Sequence, residues 1–584
     1  MESLRQEFVG STRWLAALAA GLLGLACQPA DTGRPAEEAP PAEEAAPPTF
    51  ASLSDSDLKG AVDEASEWRM YGKDYTNRRW SPLDQINRQN VSGLVPVWVY
   101  QTGAGRLGSF ENTPLVFGGV MYLTTPWDNV MAVDARTGEE LWRYEGENEL
   151  GETTIFCCGP NNRGVAAAYG KLYLGTLDAR LVALDQRTGE KVWETQIADP
   201  AAGYSETMAP TVYEGKVLIG TAGAEYGIRG FLKAFDAETG ALVWTWHTIP
   251  SPEEGGWWGE WAETTPGGEN LNRDIAQEKA DSAKHADSWK VGGGSIWQTP
   301  AIDDETGTVF VSIGNPSPDL DGSIRPGDNR WTESICAINI ADGTMKWCHQ
   351  YLPHDVWDLD AASPAALVRL SDGTKAVIHA GKTGWTYVLD AETGERIRRS
   401  QNWVPHENLF AQPTAEGVRM LPGANGGAEW SPTAFNPQLG YQFIAALHQP
   451  MNYITHFSPY EKGKLWLGSA FVAVPGEDQG GYVVAVDVNT GDVAWSHETE
   501  DPMMGGLLAT AGGLVFTGEG NGDFEAFDAE TGDILWKFNC GAGANAAPMT
   551  YELDGRQYVT VACGGNFQLG YRRGDAVFTF ALAR

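Results

Sequence analysis

One alternation of apolar and polar positions recurs along the chain: AVDARTGEELW, ALDQRTGEKVW, AFDAETGALVW, AINIADGTMKW, VLDAETGERIR, AVDVNTGDVAW and AFDAETGDILW. A period of two that runs into Asp-x-x-Thr-Gly and then resumes reads as strand, tight turn and strand. The anchor positions are Asp134, Asp185, Asp236, Asn339, Asp390, Asp487 and Asp528, with spacings of 51, 51, 103, 51, 97 and 41 residues. Two gaps are therefore about double the unit. A further apolar run, such as KLYLGTLDARL or KVLIGTAG, stands upstream of most anchors and supplies a preceding strand. Four short strands per unit of this length is the signature of propeller blades. Near the start LVPVWVY resembles one more tryptophan strand, and the terminal FTFALAR completes its blade by joining the two ends of the chain. The expectation is an all-β, eight-bladed β-propeller over 67–584, with each motif's tryptophan docking between neighbouring blades. The stretch 251–290 breaks the rhythm and is read as an insertion on one face.

Composition adds a compartment. The 23 tryptophans of the 584-residue chain suit the repeat, and the 70 glycines suit its turns. Net charge is −36, from 77 acidic against 41 basic residues, which repels phosphate backbones and excludes nucleic acid as a partner. At the N-terminus Arg5 and Arg13 precede WLAALAAGLLGLA, an apolar run of 13 residues. A bilayer span needs about 20, so residues 1–27 read as a secretory signal. GLAC points to a lipoprotein site with a lipid anchor at Cys27, although Gly24 departs from the usual pattern. The Pro/Ala/Glu-rich run that follows makes 28–66 a tether. The expected location is the periplasm, with membrane tethering through Cys27, and a homodimer is left open.

Cys336 and Cys348 flank a hairpin motif and can face each other across two strands; Cys540 and Cys563 flank a second hairpin region. Cys157 and Cys158 are adjacent in TIFCCGPNNRG. Neighbouring Cα atoms lie about 3.8 Å apart, whereas ordinary disulfides span about 4.4–6.8 Å, so bonding this pair closes a strained ring. The chain has no C-x-x-C-H, the haem attachment motif.

Four places gather groups that blades do not require. Glu225 sits in the Gly-rich turn of TAGAEYGIRG, and Asn315 at a strand end in VSIGNPSP. PHDVWDLDAAS holds Asp358 and Asp360, which point the same way if that segment is extended. Lys382 lies at a strand end in IHAGKTGW. Three carboxylates and an amide oxygen suit a hard cation. Taken singly, each is an ordinary loop or surface residue.

Their wording and order resemble the quinoprotein dehydrogenases that use pyrroloquinoline quinone (PQQ), the methanol and alcohol dehydrogenase group. The likeness runs from WRMYGKDYTNRRWSPLDQINRQNVSGLVPVW through FENTPLVFGGVMYLTTPWDNVMAVDARTGEELW, CCGPNNRGVA, GAEYGIRG, GGGSIW, GNPSP, RPGDNRWTES, PHDVWDLD and ATAGGLVF. In that family adjacent cysteines form a vicinal disulfide against one face of PQQ, with a tryptophan on the other. The resemblance gives those places to Cys157, Cys158 and Trp297. It implies further cofactor contacts at Glu111, Arg163, Thr207, Gly223, Ala224, Ser295 and Lys382. It also implies metal ligation by Glu225, Asn315, Asp358 and Asp360, with Asp358 as catalytic base. The implied reaction is hydride transfer from a small primary alcohol to the quinone, with electrons leaving for a soluble cytochrome c.

An acid at position 360 resembles the lanthanide-dependent members, and a third nearby negative charge favours a trivalent ion; calcium is the alternative. Glu429, and Met503 with Met504, depart from the family's Asn and Trp near the cofactor. A sugar or polyol dehydrogenase on the same frame therefore stays open. So does a non-catalytic envelope scaffold, which would have no use for these acids and the cysteine pair together.

Overall fold

The computed structural model describes residues 48–104, 108–147, 150 and 156–583. The expected signal segment 1–27, Cys27 and the tether as far as residue 47 lie outside these. Residues 48–66, grouped by composition with the tether, carry a helical turn, Asp55–Lys59, capped by Ser54. They place Leu53, Leu58 and Ala61 in the protein core. These apolar side chains, spread among acids, give the segment a face to bury.

The architecture is an all-β propeller. Among the described residues the strands form eight sheets of four or five strands and one sheet of three. Leu94–Gln101 pairs antiparallel with Ala576–Leu582, so the early tryptophan strand and the last strand share one sheet.

Each of the seven anchors ends a strand, from Val130–Asp134 to Asp523–Asp528. The anchor's side-chain oxygen caps the turn: Arg136 N donates to Asp134 Oδ1 at 2.7 Å, and Ala341 N to Asn339 Oδ1 at 3.1 Å. Asn replaces Asp at 339 because both present an oxygen at that position. The motif's tryptophan reaches the turn of the next sheet. Trp98 Nε1 donates to Ala135 O at 3.2 Å, Trp142 to Gln186 O at 3.1 Å and Trp244 to Ile340 O at 2.9 Å. Trp536 donates to Leu94 O at 3.2 Å, which carries the pattern onto the sheet shared by the chain's two ends.

The glycine of this turn has two reasons to be glycine. Gly138 sits at φ +75°, and a Cβ there would stand 2.7 Å from the Trp98 ring. Gly138→Val is expected to destabilise the protein by about 2–4 kcal/mol, combining backbone strain with overpacking. A melting temperature unchanged from wild type would contradict this account of the motif.

The two double gaps each contain one sheet and an insertion. Between Asp236 and Asn339 the insertion includes the helix Ile275–Asp281. It is fastened by Arg273, which pairs with Glu278 at 2.7 Å and Asp328 at 2.8 Å. Between Asp390 and Asp487 lies the three-stranded sheet of Val418–Met420, Met451–Ile454 and Ala470–Ala473. Cys336 and Cys348 face each other in register and form a disulfide. Cys540 and Cys563 are not bonded to each other.

Candidate active site

A cavity of about 400 Å³ collects residues that are far apart in sequence. Cys157, Cys158, Arg163, Thr207, Ser295 and Trp297 line it. So do Gly223, Glu225, Asp358, Asp360 and Lys382. Glu111, Ala224 and Asn315 stand behind this lining: Ala224 N donates to Ser295 Oγ at 2.9 Å, and Asn315 N to Asp360 Oδ1 at 2.9 Å.

Arg163 organises one wall. Its Nη2 pairs with Glu111 Oε2 at 2.7 Å, both side chains being 3% exposed, and its Nη1 donates to Thr207 Oγ1 at 2.9 Å. The guanidinium lies 5.0 Å from the Trp297 ring and 5.1 Å from that of Trp430. Its Nε is buried without an acceptor. An orphaned charged donor in a cavity wall fits an anionic ligand, as the carboxylates of PQQ would be. Burial pushes the Glu111 carboxyl up to about 7; Arg163 partly offsets this and Glu429 adds to it. Protonation therefore favours the folded state, so this contribution to stability is full below pH 4.5 and is lost as pH rises through about 7. We expect the ligand-free protein to melt at lower temperature across that window, and Glu111→Gln to flatten the slope. A slope untouched by the substitution would contradict the assignment.

Lys382 organises the other wall. Its Nζ donates to Asp358 Oδ1 at 2.9 Å and stands 4.0 Å from Asp360 Oδ2 and 3.9 Å from Glu429 Oε1. Burial alone would lower its basicity, but the three carboxylates outweigh burial and hold the ammonium well above its usual range. The Lys382 backbone N also donates to Asp360 O at 3.1 Å.

The Asp358 carboxyl is raised well above the usual range, first by burial and then by Asp360, against the pull of Lys382. The PHDVWDLDAAS segment is not extended. Asp358 has φ +60°, and Asp355 braces the turn by accepting from Trp357 N at 2.9 Å and Leu359 N at 3.0 Å. The two aspartates share the cavity through this left-handed turn rather than through strand alternation.

Glu225 is set in a single helical turn, Ala224–Tyr226, between Gly223 and Gly227, both at positive φ. A Cβ on Gly227 would stand 2.7 Å from Tyr460. Burial, reinforced by Asp360, pushes the Glu225 carboxyl up to about 7. The sulfurs of Cys157 and Cys158 are 3.0 Å apart and unbonded.

Three features of this cavity were not legible in the sequence. Asp319 lines it, 1% exposed, with Oδ1 unpartnered. Burial and the charges of Asp358, Glu225 and Asp360 hold its carboxyl well above the usual range. A run of amides forms one side: Gln568 donates to Asn425 at 2.6 Å, Asn425 to Gln449 at 2.8 Å and Gln449 to Gln479 at 2.8 Å. The third feature is an apolar side contributed by Met451, Leu465, Leu467 and Phe471, all from the second insertion. Among the described residues no group of three or more His, Cys, Asp and Glu side chains is gathered tightly enough to chelate a metal by itself. Even so, Glu225, Asp319, Asp358 and Asp360 set four carboxylates against one ammonium, a balance that fits an added cation.

Residues 68–405 and 481–559 match the family model described as the beta-propeller domain of PQQ-dependent glucose, ethanol and alcohol dehydrogenases. The chain belongs to the quinoprotein alcohol dehydrogenase family. The quinoprotein is 36% identical over 511 residues to quinoprotein alcohol dehydrogenase PedH of Pseudomonas putida, covering 83% of this chain and 84% of that one. It is 33% identical over 550 residues to the putative dehydrogenase XoxF of Paracoccus denitrificans, covering 88% and 90%. Among solved structures it superposes on quinohemoprotein alcohol dehydrogenase ADHIIG of P. putida HK5 with a TM-score of 0.81 at 32% identity, covering 91% and 82%. A europium-containing methanol dehydrogenase aligns with a TM-score of 0.79 at 29% identity, covering 90% and 100%. The quinoprotein is an oxidoreductase acting on CH–OH donors. The unmatched interval, 406–480, carries the three-stranded sheet and the apolar side of the cavity.

Proposed function

We propose that the quinoprotein oxidises a small primary alcohol to an aldehyde, using PQQ bound in the cavity beside one metal ion. The frame is an eight-bladed propeller whose blades are the eight larger sheets. The observation that carries this reading is the Asp358–Lys382 pair at 2.9 Å, lining the same cavity as an arginine with an orphaned donor. Bound PQQ supplies the acceptor for the two electrons and the hydrogen leaving the alcohol carbon.

The chain's own residues do the rest. Arg163 and Thr207 bind and orient the anionic ring, and Trp297 offers it a flat apolar face. Cys157 and Cys158, whose sulfurs are 3.0 Å apart, line the cavity where the family likeness puts a vicinal disulfide. Asp358 takes the hydroxyl proton, and Lys382 holds that side chain in place and opposes the burial that disfavours its ionised form. Electrons pass one at a time to a separate cytochrome c, since this chain carries no C-x-x-C-H. We place the reaction in the periplasm, a reading supported by the apolar N-terminal segment and by the Cys336–Cys348 disulfide.

The metal would be held by Glu225, Asn315, Asp358 and Asp360. We favour a lanthanide over calcium because Glu225, Asp319, Asp358 and Asp360 bring four carboxylates to the cavity, more than a divalent ion and Lys382 neutralise. Asp360→Ala is expected to cost about tenfold or more in lanthanide affinity and less in calcium affinity. Equal losses, measured by titration of the metal-free protein, would count against the trivalent ion.

The amide run favours a second reading, a sugar or polyol as substrate. Steady-state assays with a dye acceptor against ethanol, methanol and glucose separate the two. Turnover with glucose alone would reject the alcohol assignment.

A further inference from the structure

The cavity's least expected group is Asp319. Its carboxyl is nine-tenths and more buried, lines the same cavity as Glu225, Asp358 and Asp360, and keeps Oδ1 without a hydrogen-bond partner. The nearest cations are already engaged. Arg325 is fully buried, but its guanidinium serves backbone and amide oxygens. Nε donates to Pro318 O at 2.8 Å, Nη1 to Asn329 Oδ1 at 2.7 Å and Nη2 to Asp319 O at 3.1 Å and to Asp355 O. Lys382 bonds Asp358 and leans toward Asp360 and Glu429. Among the described residues no ion pair reaches the Asp319 side chain.

Nor is the carboxylate free to withdraw. Arg325 fixes the carbonyls of residues 318 and 319, and Leu320 N donates to Leu467 O at 2.9 Å, which ties the next residue to the second insertion. The insertion also reaches the Glu225 turn, where Trp466 N donates to Glu225 O at 2.6 Å. One strand of chain, 466–467, therefore bridges the backbone of Glu225 and that beside Asp319.

A carboxyl that is buried and pinned among like charges, with one oxygen unpartnered, stays protonated on its own and ionises once a cation joins it. We propose that Asp319 is a further carboxylate of the cation site, and that its charge biases that site toward a trivalent ion. This rests on the reading that the cavity holds a metal. The added negative charge acts on any ion held by Glu225, Asp358 and Asp360, and it raises affinity more for three positive charges than for two.

The test uses PQQ-loaded protein stripped of metal by a chelator, then titrated with Tb³⁺ and followed by luminescence sensitised through tryptophan. Ca²⁺ affinity is obtained by competition. Asp319→Asn is expected to weaken Tb³⁺ binding by about tenfold or more and Ca²⁺ binding by no more than about threefold. Asp319→Glu, which keeps the charge, is expected to retain Tb³⁺ affinity within about threefold; circular dichroism and melting confirm the fold of both. If wild type binds Tb³⁺ and Asp319→Asn binds it equally well, the proposal is overturned while the metal reading stands. If wild type takes up no Tb³⁺, both fall.

Discussion

Asp358→Asn lowers kcat by about 10²–10⁴-fold, the range over which a positioned general base contributes, and leaves the fold intact. The amide keeps the size of the carboxylate and tolerates the left-handed backbone that residue 358 adopts at φ +60°, but it accepts no proton from a substrate hydroxyl. Stability should hold or rise, because the substitution removes one negative charge from a group already crowded by Asp360 and Asp355. Lys382 loses its closest partner yet retains Asp360 and Glu429 nearby. Rate and melting temperature thus move independently, which separates loss of the base from damage to the site. Full activity in this variant would remove Asp358 from the chemistry.

Arg163→Met is the second large effect, and it acts on stability and on cofactor binding together. Removing the guanidinium leaves Glu111 buried, with Asn566 Nδ2 at 3.3 Å as its remaining hydrogen-bond donor. Breaking one side of a buried pair costs about 3–5 kcal/mol. PQQ binding should fall as well, since the planar donor fork suited to its carboxylates is gone. The double variant Arg163→Met/Glu111→Gln separates the two effects: it should recover most of the melting temperature and none of the PQQ affinity. Recovery of both would make Arg163 a structural residue only.

The propeller was legible because its motif repeats and each position in the motif has a definite physical task. The anchor caps a turn, the glycine bends it, and the tryptophan reaches the next sheet. Neither insertion has a period. Their lengths imitate an extra unit in the anchor spacing, and only the coordinates show that residues 406–480 supply one side of the cavity. Site residues such as Glu225, Asn315 and Lys382 could be singled out at strand ends, where side chains are presented to ligands. Asp319 could not, because in GNPSPDLDGS it reads as one more turn acid, and its companions in the cavity, Glu225 and Asp358, come from other parts of the chain. The pairing of Asp358 with Asp360 was anticipated from an extended segment, whereas a left-handed turn produces it. The Glu111–Arg163 ion pair joins two residues that the family likeness named separately, and no spacing in the sequence links them.

The central claim is that one redox ring occupies this pocket. The most direct measurement is an equilibrium titration of the purified protein with PQQ in the presence of lanthanum, followed by quenching of tryptophan fluorescence. A single saturable site in wild type, lost when Arg163 is replaced, is the predicted result. No saturable quenching, with the protein shown to be folded, would contradict it.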